Sequence, residues 1–193
     1  MIPDEQASPE LERQLDRVRT PHGTVDNVMR VHSLRPHTMH GHYTLYMSAL
    51  HHPDNTLEDW LLETIASYTS ILNRCDYSLS NHWANARHLI GDEARAEAIY
   101  EALQADAPER ALEGKALAFA RYARKLTLHP GAMERADVDA LEAEGANDGE
   151  ILEVNQVCCY FNYVNRVLNG LGVSLHGDTV GYYSPPGDSR EQP

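Results

Sequence analysis

The sequence predicts an all-α fold, and two observations support that prediction. Apolar residues recur at the three- and four-residue spacing of amphipathic helices along most of the 193-residue chain. Residues that cap or break helices, among them Gly91, Pro108 and Asn147, stand between these runs. A chain of this length suits one domain with a core of its own. We therefore expect a single domain over residues 1–193, with a core in residues 20–175 flanked by an N-terminal arm and a C-terminal tail.

Three helices are predicted before residue 56. Ser8 and Pro9 are suited to the N-cap and first position of a short helix, whose narrow apolar stripe suggests docking, including on a neighbouring subunit. Thr24 can cap a second helix, and Pro36 starts a third that runs to about His51. The residues expected to face inward are Leu11, Leu15, Val18, Val25, Val28, Met29, Met39, Tyr43, Tyr46, Met47 and Leu50.

The stretch from Thr56 to Gly91 is expected to form two helices that meet at a break. Thr56 is a suitable N-cap for the first, which should run to about Arg74. The second should begin after Asp76 and end at Gly91. The first helix is apolar on more than one face, which is typical of a buried helix. The carboxyl group within it, Glu63, is therefore expected to be at least partly desolvated.

Four more helices should follow, over residues 92–105, residues 109–128, a short segment that ends at Gly145, and a long segment capped by Asn147. The long helix has apolar residues on several faces, so we expect it to be central and buried. The tail after Gly172 should be extended, and either lies across a partner subunit or is loose. Its prominent residues are Tyr182, Tyr183, Pro185 and Pro186.

Residues separated by 92 positions show a weak internal similarity. It aligns Tyr68 with Tyr160 and Asn73 with Asn165, and it places Asn155 opposite Glu63. Such a pattern would suit a fold of two similar helical halves, in which only the first half keeps the acid.

Four residues with chemically active side chains occur at tight spacings: Glu63, Cys75, Ser78 and His82, in the pattern E-x11-C-x2-S-x3-H. Ser78 and His82 are one helical turn apart, so the imidazole can lie within hydrogen-bond reach of the hydroxyl. Cys75 lies just before the helix begins, where a thiol near an imidazole can have a lowered pKa. These four are the candidate catalytic residues.

With cysteine in place of Ser78, the spacing would match the motif of the alkylhydroperoxidase D and carboxymuconolactone decarboxylase superfamily, E-x11-C-x2-C-x3-H. The chain most resembles the peroxidase-related subset of that superfamily, over residues 20–175. Three further segments carry the resemblance: FARYARKLTLHPGAM, ADVDALEAEG and YFNYVNRVLNGLGV. The resemblance implies an alkylhydroperoxidase D-like helical fold, a homo-oligomer and an oxidoreductase active on hydroperoxides.

In enzymes of that superfamily the second cysteine attacks the peroxide, the first resolves it as a disulfide, and the glutamate and histidine relay protons. The resemblance assigns these last two roles to Glu63 and His82, and resolution to Cys75. Ser78 stands where the attacking thiol should be. An alcohol has no accessible sulfenic state, so the two-cysteine cycle should be absent.

Three classes of function remain open. The first is a peroxidase-like oxidoreductase in which Cys75 is the only active thiol and an external thiol reductant resolves it. The second is a non-redox enzyme in which Glu63 and His82 do acid and base work on a small-molecule substrate, as in the decarboxylase branch of the superfamily. The third is a non-catalytic oligomeric protein that binds a ligand.

Charge, cysteine content and hydropathy argue against several other classes of protein. A net charge of −13 argues against binding to nucleic acid or an anionic membrane. The three cysteines give no disulfide framework, and Cys158 and Cys159 are expected to be inert core residues. The N-terminus lacks the features of a signal peptide, and no stretch approaches the length of a membrane span. We therefore expect a soluble, cytoplasmic protein.

Five histidines, His37, His40, His42, His51 and His52, crowd one region. Metal binding is the more specific interpretation, since His37 and His40 are close enough on a helix to bind one metal ion. A transition-metal site usually adds an acidic or thiolate partner at a recognisable spacing, and none stands out. We expect these histidines to pack, cap helices or line the mouth of a pocket, and we expect no metal and no cofactor.

Overall fold

The computed structural model describes residues 1–183, which form nine α-helices, three short 3-10 helices and no strand. The all-α prediction is therefore confirmed. The α-helices are α1 Pro9–Arg17, α2 Asn27–Arg30, α3 Pro36–Leu50, α4 Asp59–Leu72, α5 Asp76–Ile90, α6 Glu93–Gln104, α7 Gly114–Leu128, α8 Arg135–Ala143 and α9 Asp148–Leu171. The 3-10 helices are Asp4–Gln6, Pro108–Arg110 and Pro130–Ala132.

Helix α4 lies at the centre of the fold and packs against α5, α7 and α9. Ten consecutive residues of α4, positions 61–70, are buried, as expected of a helix that is apolar on several faces. The hydroxyls of Thr64, Ser67 and Ser70 donate to backbone carbonyl oxygens four residues earlier. This bonding within the helix satisfies polar groups that would otherwise be costly to bury. The long helix α9 is also central, as predicted.

Three of the predicted caps are correct. Ser8 Oγ accepts a hydrogen bond from the Leu11 amide at the start of α1. Asn147 forms a reciprocal pair with Glu150 at the start of α9: each side chain accepts from the other residue's amide, at 3.0 and 2.9 Å. Gly91 ends α5 with a φ of 65°, a left-handed conformation that glycine adopts without strain.

Two predicted helix starts are wrong: Thr56 is engaged by a long-range contact, and Thr24 is hydrogen-bonded to Thr20 in the turn before the helix. Thr56 does not cap α4, which begins at Asp59. Instead, the Thr56 amide and hydroxyl both donate to Glu153 Oε1 on α9, each at 2.9 Å. The second helix begins at Asn27, with Asp26 rather than Thr24 as its N-cap.

The N-terminal arm folds back on its own chain. Leu11, Leu15 and Val18 form a second apolar cluster with Val25, Met29 and Met39. The tail behaves similarly as far as Tyr183, whereas Pro185 and Pro186 lie outside the described residues. Both segments were expected to need a partner subunit, but each packs on its own chain. The homo-oligomer therefore stays a prediction.

The predicted similarity of two helical halves also stays a prediction. Tyr68 on α4 donates to Asp106 at 2.6 Å, whereas its aligned partner Tyr160 pairs with His42. Asn155, aligned with Glu63, donates to the Tyr122 hydroxyl at 2.8 Å. The aligned positions thus have different partners.

In the part of the chain that the structure describes, no helix combines the length and the apolar character needed to cross a membrane.

Candidate active site

The turn between α4 and α5 brings the candidate residues together. Arg74 has a φ of 52°, and the Cys75 amide donates to the Ser70 carbonyl at 2.9 Å, which closes the turn tightly. A turn this short makes the two helices neighbours that run back along each other. Residue 63 of α4 consequently lies beside residues 82 and 85 of α5.

Glu63 and His82 form a buried pair. The Glu63 carboxylate, 1% exposed, has Oε2 at 2.7 Å from His82 Nδ1. Its other oxygen, Oε1, accepts from Asn85 Nδ2 at 3.1 Å. Both carboxylate oxygens are therefore occupied by donors on α5. A buried carboxylate that is fully paired in this way is held in one orientation.

The His82 ring is fixed by its aromatic neighbours. Phe161 packs edge to face against it at 4.5 Å between ring centroids, and Tyr46 lies at 6.4 Å. Its side chain is 12% exposed and lines a cavity. With Nδ1–H directed to Glu63, neutral His82 carries an unshared electron pair on Nε2, for which the described residues supply no hydrogen-bond partner. Such a nitrogen can accept a proton from a bound molecule.

The cavity has a volume of about 110 Å³. Ser78, Asn81, His82 and Asn85 line one wall from α5. Apolar side chains from α2, α3 and α9 supply much of the remainder: Val28, Met29, Met47, Val164 and Leu168. Cavities of this order hold a small organic molecule about the size of one ring.

Ser78 lines the cavity but is not hydrogen-bonded to His82. Its hydroxyl oxygen lies 2.9 Å from Ser70 Oγ on α4 and is almost fully buried. The expected Ser78–His82 hydrogen bond is therefore wrong. The reason is that Ser70, directly across the helix pair, supplies a closer hydroxyl partner.

Cys75 lies in the main apolar core, 1% exposed, and is not among the residues that line the cavity. Burial raises the pKa of the Cys75 thiol, and a hydrogen bond from the Ser78 amide offsets this only in part. The expected lowering of the Cys75 pKa is thus wrong, because desolvation outweighs the helix terminus. Cys158 is buried as expected, whereas Cys159 is exposed, which corrects its assignment to the core.

The C-terminal tail closes one side of the cavity, a feature that sequence reasoning missed. The Gly181 amide donates to Asn81 Oδ1 at 3.1 Å, and the Tyr182 amide donates to Asn85 Oδ1 at 2.7 Å. Tyr183 stacks on His88 with ring centroids 5.1 Å apart. The adjacent tyrosines were the only feature of the sequence that pointed to this contact. The residues of α5 that the tail contacts lie about a hundred positions away in the chain.

The histidine cluster divides into separate contacts. His42 is buried between His32, at 2.9 Å, and the Tyr160 hydroxyl, at 2.8 Å, and burial lowers the pKa of His42 to about 3. His51 hydrogen-bonds the Tyr46 hydroxyl at 2.7 Å. His37, His40 and His52 are exposed. Within residues 1–183, no three histidine, cysteine or acidic side chains lie close enough to hold a metal ion.

A second acid, Asp26, also lines the cavity and was not identified from the sequence. No side-chain hydrogen bond to it is formed within the described residues, and its Oδ1 is sealed from solvent. Burial, reinforced by the nearby negative charge of Asp178, raises the pKa of Asp26 to about 6. Asp178, in contrast, accepts hydrogen bonds from the Tyr77 hydroxyl and the Asn27 amide.

Asn81 and Asn85 were missed as well, although a signal for them exists. They lie three and seven residues after Ser78, positions that share one helical face with His82. An extended polar stripe on α5 could therefore have identified them.

Several solved structures share this architecture. A peroxidase-related protein from Silicibacter sp. TM1040 is 25% identical, with 87% of each chain covered and a TM-score of 0.74. A peroxidase-related protein from Ralstonia eutropha JMP134, described as an alkylhydroperoxidase AhpD core, is 20% identical over 90% of each chain, with a TM-score of 0.77. The debrominase Bmp8, solved in complex with 2,3,4-tribromopyrrole, is 16% identical over 90% of this chain and 88% of its own, with a TM-score of 0.69.

These similarities confirm the predicted alkylhydroperoxidase D-like fold and the resemblance to peroxidase-related proteins. The sequence matches no protein-family profile and no curated protein at a significant level.

Proposed function

We propose that this chain, which belongs by its fold to the alkylhydroperoxidase D and carboxymuconolactone decarboxylase superfamily, is a thiol-independent acid–base enzyme for a small organic substrate. The observation that carries the proposal is the buried Glu63–His82 pair, 2.7 Å apart, with Nε2 of His82 left without a described partner beside a cavity. His82 is the general base and acid, and Glu63 is the residue that positions it.

The reaction class is proton transfer at a carbon next to a carbonyl group. His82 Nε2 takes the proton from that carbon, and the electron pair of the C–H bond moves into an enolate. The imidazolium then returns the proton to the substrate at the same or a conjugated carbon. Negative Glu63 stabilises the imidazolium, since a charge pair in a buried site interacts more strongly than one in water. General acid–base groups of this kind contribute about 10²- to 10⁴-fold to a rate.

The other residues of the α5 wall support this chemistry. Asn85 holds the second oxygen of Glu63, so the carboxylate cannot rotate away from His82. Ser78 places a hydroxyl in the cavity one turn before His82, where it can contact a substrate oxygen. No cysteine takes part.

Hydroperoxide reduction through Cys75 is the second candidate, supported by the names of two structural neighbours. The Cys75 thiolate would attack the peroxide to give a sulfenic acid and an alcohol, and an external thiol would reduce the sulfenic acid. The position of Cys75 in the core and its raised pKa both count against this candidate, because the thiolate is the reactive form.

A comparison of variants separates the two candidates. Small ketones are incubated with the protein in D₂O, and deuterium incorporation next to the carbonyl group is followed by NMR. We expect His82→Gln to abolish the catalysed reaction, Cys75→Ala to retain it, and the exposed control His37→Ala to match the parent. Retention in His82→Gln, or hydroperoxide consumption that depends on Cys75, would contradict the proposal.

A further inference from the structure

We propose that the substrate carries a primary ammonium group, which the Asp26 carboxylate binds among the tyrosine rings of the cavity. This inference rests on the proposed function for the reaction at His82, and it adds the class of substrate. Its evidence is independent of that reaction, because it concerns only what the cavity can bind.

The first observation is that the Asp26 side chain has no hydrogen-bond partner in the part of the chain that the structure describes. Neither of its carboxylate oxygens is hydrogen-bonded within residues 1–183, and Oδ1 is out of contact with water. Asp26 is partly buried, and carboxylate oxygens that are sealed from water are normally paired, because an unpaired one loses its hydration without compensation. The other acids near the cavity follow that rule: Glu63 has two donors, and Asp178 is hydrogen-bonded to Tyr77 and Asn27. Among the described residues, Asp26 therefore differs from these acids in having neither a cation nor a hydrogen-bond donor beside it.

The neighbouring arginines within residues 1–183 do not supply that cation. Arg19 donates to Asp16 and to the Gly23 carbonyl. Arg30 donates to Asp4 and to the Val25 carbonyl.

His22 is close enough to interact electrostatically with Asp26, but its Nε2 lies 3.3 Å from the Gly181 carbonyl. Asp178 adds negative charge at the same end. Arg19 and His22 line the cavity too, but both are hydrogen-bonded elsewhere, so the Asp26 carboxylate itself stays available to a positively charged ligand.

The second observation is the aromatic lining. Five of the ten tyrosines in the chain line this cavity: Tyr43, Tyr46, Tyr77, Tyr160 and Tyr182. Three of them use their hydroxyls within the protein: Tyr46 with His51, Tyr77 with Asp178 and Tyr160 with His42.

Burial raises the pKa of Tyr46 and Tyr160, so both stay neutral. What these residues can offer a ligand is their ring surface, and aromatic faces attract ammonium groups.

The size of the cavity limits the ligand. A volume of about 110 Å³ suits an amine with a few carbon atoms, and the methionine and valine side chains suit its apolar part. Asp26 and His82 line the same cavity, so an amine held at Asp26 can present another part of the molecule to His82. The carboxylate would then fix the orientation of the substrate.

Binding of three probes of similar size tests the proposal by titration calorimetry. The probes are n-butylammonium, which carries a charged donor, 1-butanol, which carries a neutral donor, and methyl propyl ether, which has no donor. We expect saturable binding of n-butylammonium and at least tenfold weaker binding of the other two, as the loss of a charge-assisted hydrogen bond predicts. Binding of 1-butanol as tight as that of n-butylammonium would overturn the proposal.

Two variants and a fourth probe locate the interaction. Asp26→Asn keeps the shape of the side chain and should weaken n-butylammonium at least tenfold. Asp54→Asn, at a carboxylate that is 89% exposed, should leave the affinity unchanged. Tetramethylammonium has no N–H to donate, so it should bind the parent more weakly than n-butylammonium and should respond less to Asp26→Asn. Equal affinities for the two cations would show that the rings alone are responsible and would contradict the role of Asp26.

The same titration in His82→Gln separates this proposal from the proposed function. n-Butylammonium should still bind that variant, because Asp26 and the tyrosines are unchanged. If the parent fails to bind the amine yet catalyses proton exchange that depends on His82, only the ammonium proposal is wrong. If the amine binds and His82→Gln keeps its activity, only the assignment of the base is wrong.

Discussion

Glu63 and Asp26 are two acids beside one cavity, and they have opposite surroundings. Glu63 is fully enclosed and has a hydrogen-bond donor on each oxygen, His82 and Asn85. Asp26 is partly enclosed and has no such donor within the described chain. The comparison indicates a division of roles. Glu63 belongs to the permanent framework of the site and acts through His82, whereas Asp26 is left without a partner among residues 1–183.

The largest effect should come from Glu63→Ala. The change leaves His82 Nδ1 and Asn85 Nδ2 without their acceptor in a buried site, and breaking a buried, hydrogen-bonded pair costs about 3 kcal/mol or more. Urea unfolding should therefore show a loss of about 3 kcal/mol in the free energy of unfolding. Glu97→Ala, at an exposed acid on α6, is the control and should change it by less than about 0.5 kcal/mol. Similar values for the two variants would contradict the framework role.

Asp26→Asn should change the free energy of unfolding in the opposite direction and raise it at neutral pH. The pKa of Asp26 is about 6 in the folded protein against an ordinary value of 3.8, so between these values the folded state holds a proton that the unfolded state has lost. The contribution of Asp26 to stability consequently falls as the pH rises from 3.8 to 6.

Removing the charge should therefore increase the free energy of unfolding by about 2 kcal/mol at pH 7, after a reduction for the partial exposure of Asp26. The difference between variant and parent should shrink towards zero near pH 4. Urea unfolding of both proteins over this pH range measures it. A difference that is constant with pH would show that folding does not raise the pKa of Asp26.

The helices and the Glu63–His82 pair were predictable from the sequence because their causes are local. Apolar spacing marks the helices, and a tight break between α4 and α5 is enough to bring residue 63 beside residue 82. The role of Asp26 could not be predicted in this way. It depends on Asp178, about 150 positions away, and on a tail that folds back across α5. Thr56 was assigned wrongly for the same reason, since its partner Glu153 lies 97 positions along the chain.

The smallest structural effect is expected from Ser78→Cys, which adds a thiol to the cavity wall. The exchange is nearly isosteric, so the loss of stability should stay below about 1.5 kcal/mol. The new sulfur would share the cavity wall with His82, and it would lie near Cys75, whose sulfur already accepts from the residue 78 amide.

With a dithiol present, this variant should reduce hydroperoxides faster than the parent. The double change Ser78→Cys with Cys75→Ala is the control and should lose the resolving thiol. No gain in the single variant would show that the cavity differs from that of thiol peroxidases at more than this position.

The protonation of His82 tests the central claim most directly, because it requires no substrate. Nitrogen-15 NMR of the folded protein at neutral pH distinguishes a protonated ring nitrogen from a bare one. We predict that His82 carries its proton on Nδ1, donated to Glu63, with Nε2 bare, and that Glu63→Ala abolishes this preference. A proton on Nε2 in the parent would contradict the account, because the nitrogen beside the cavity could then not act as the base.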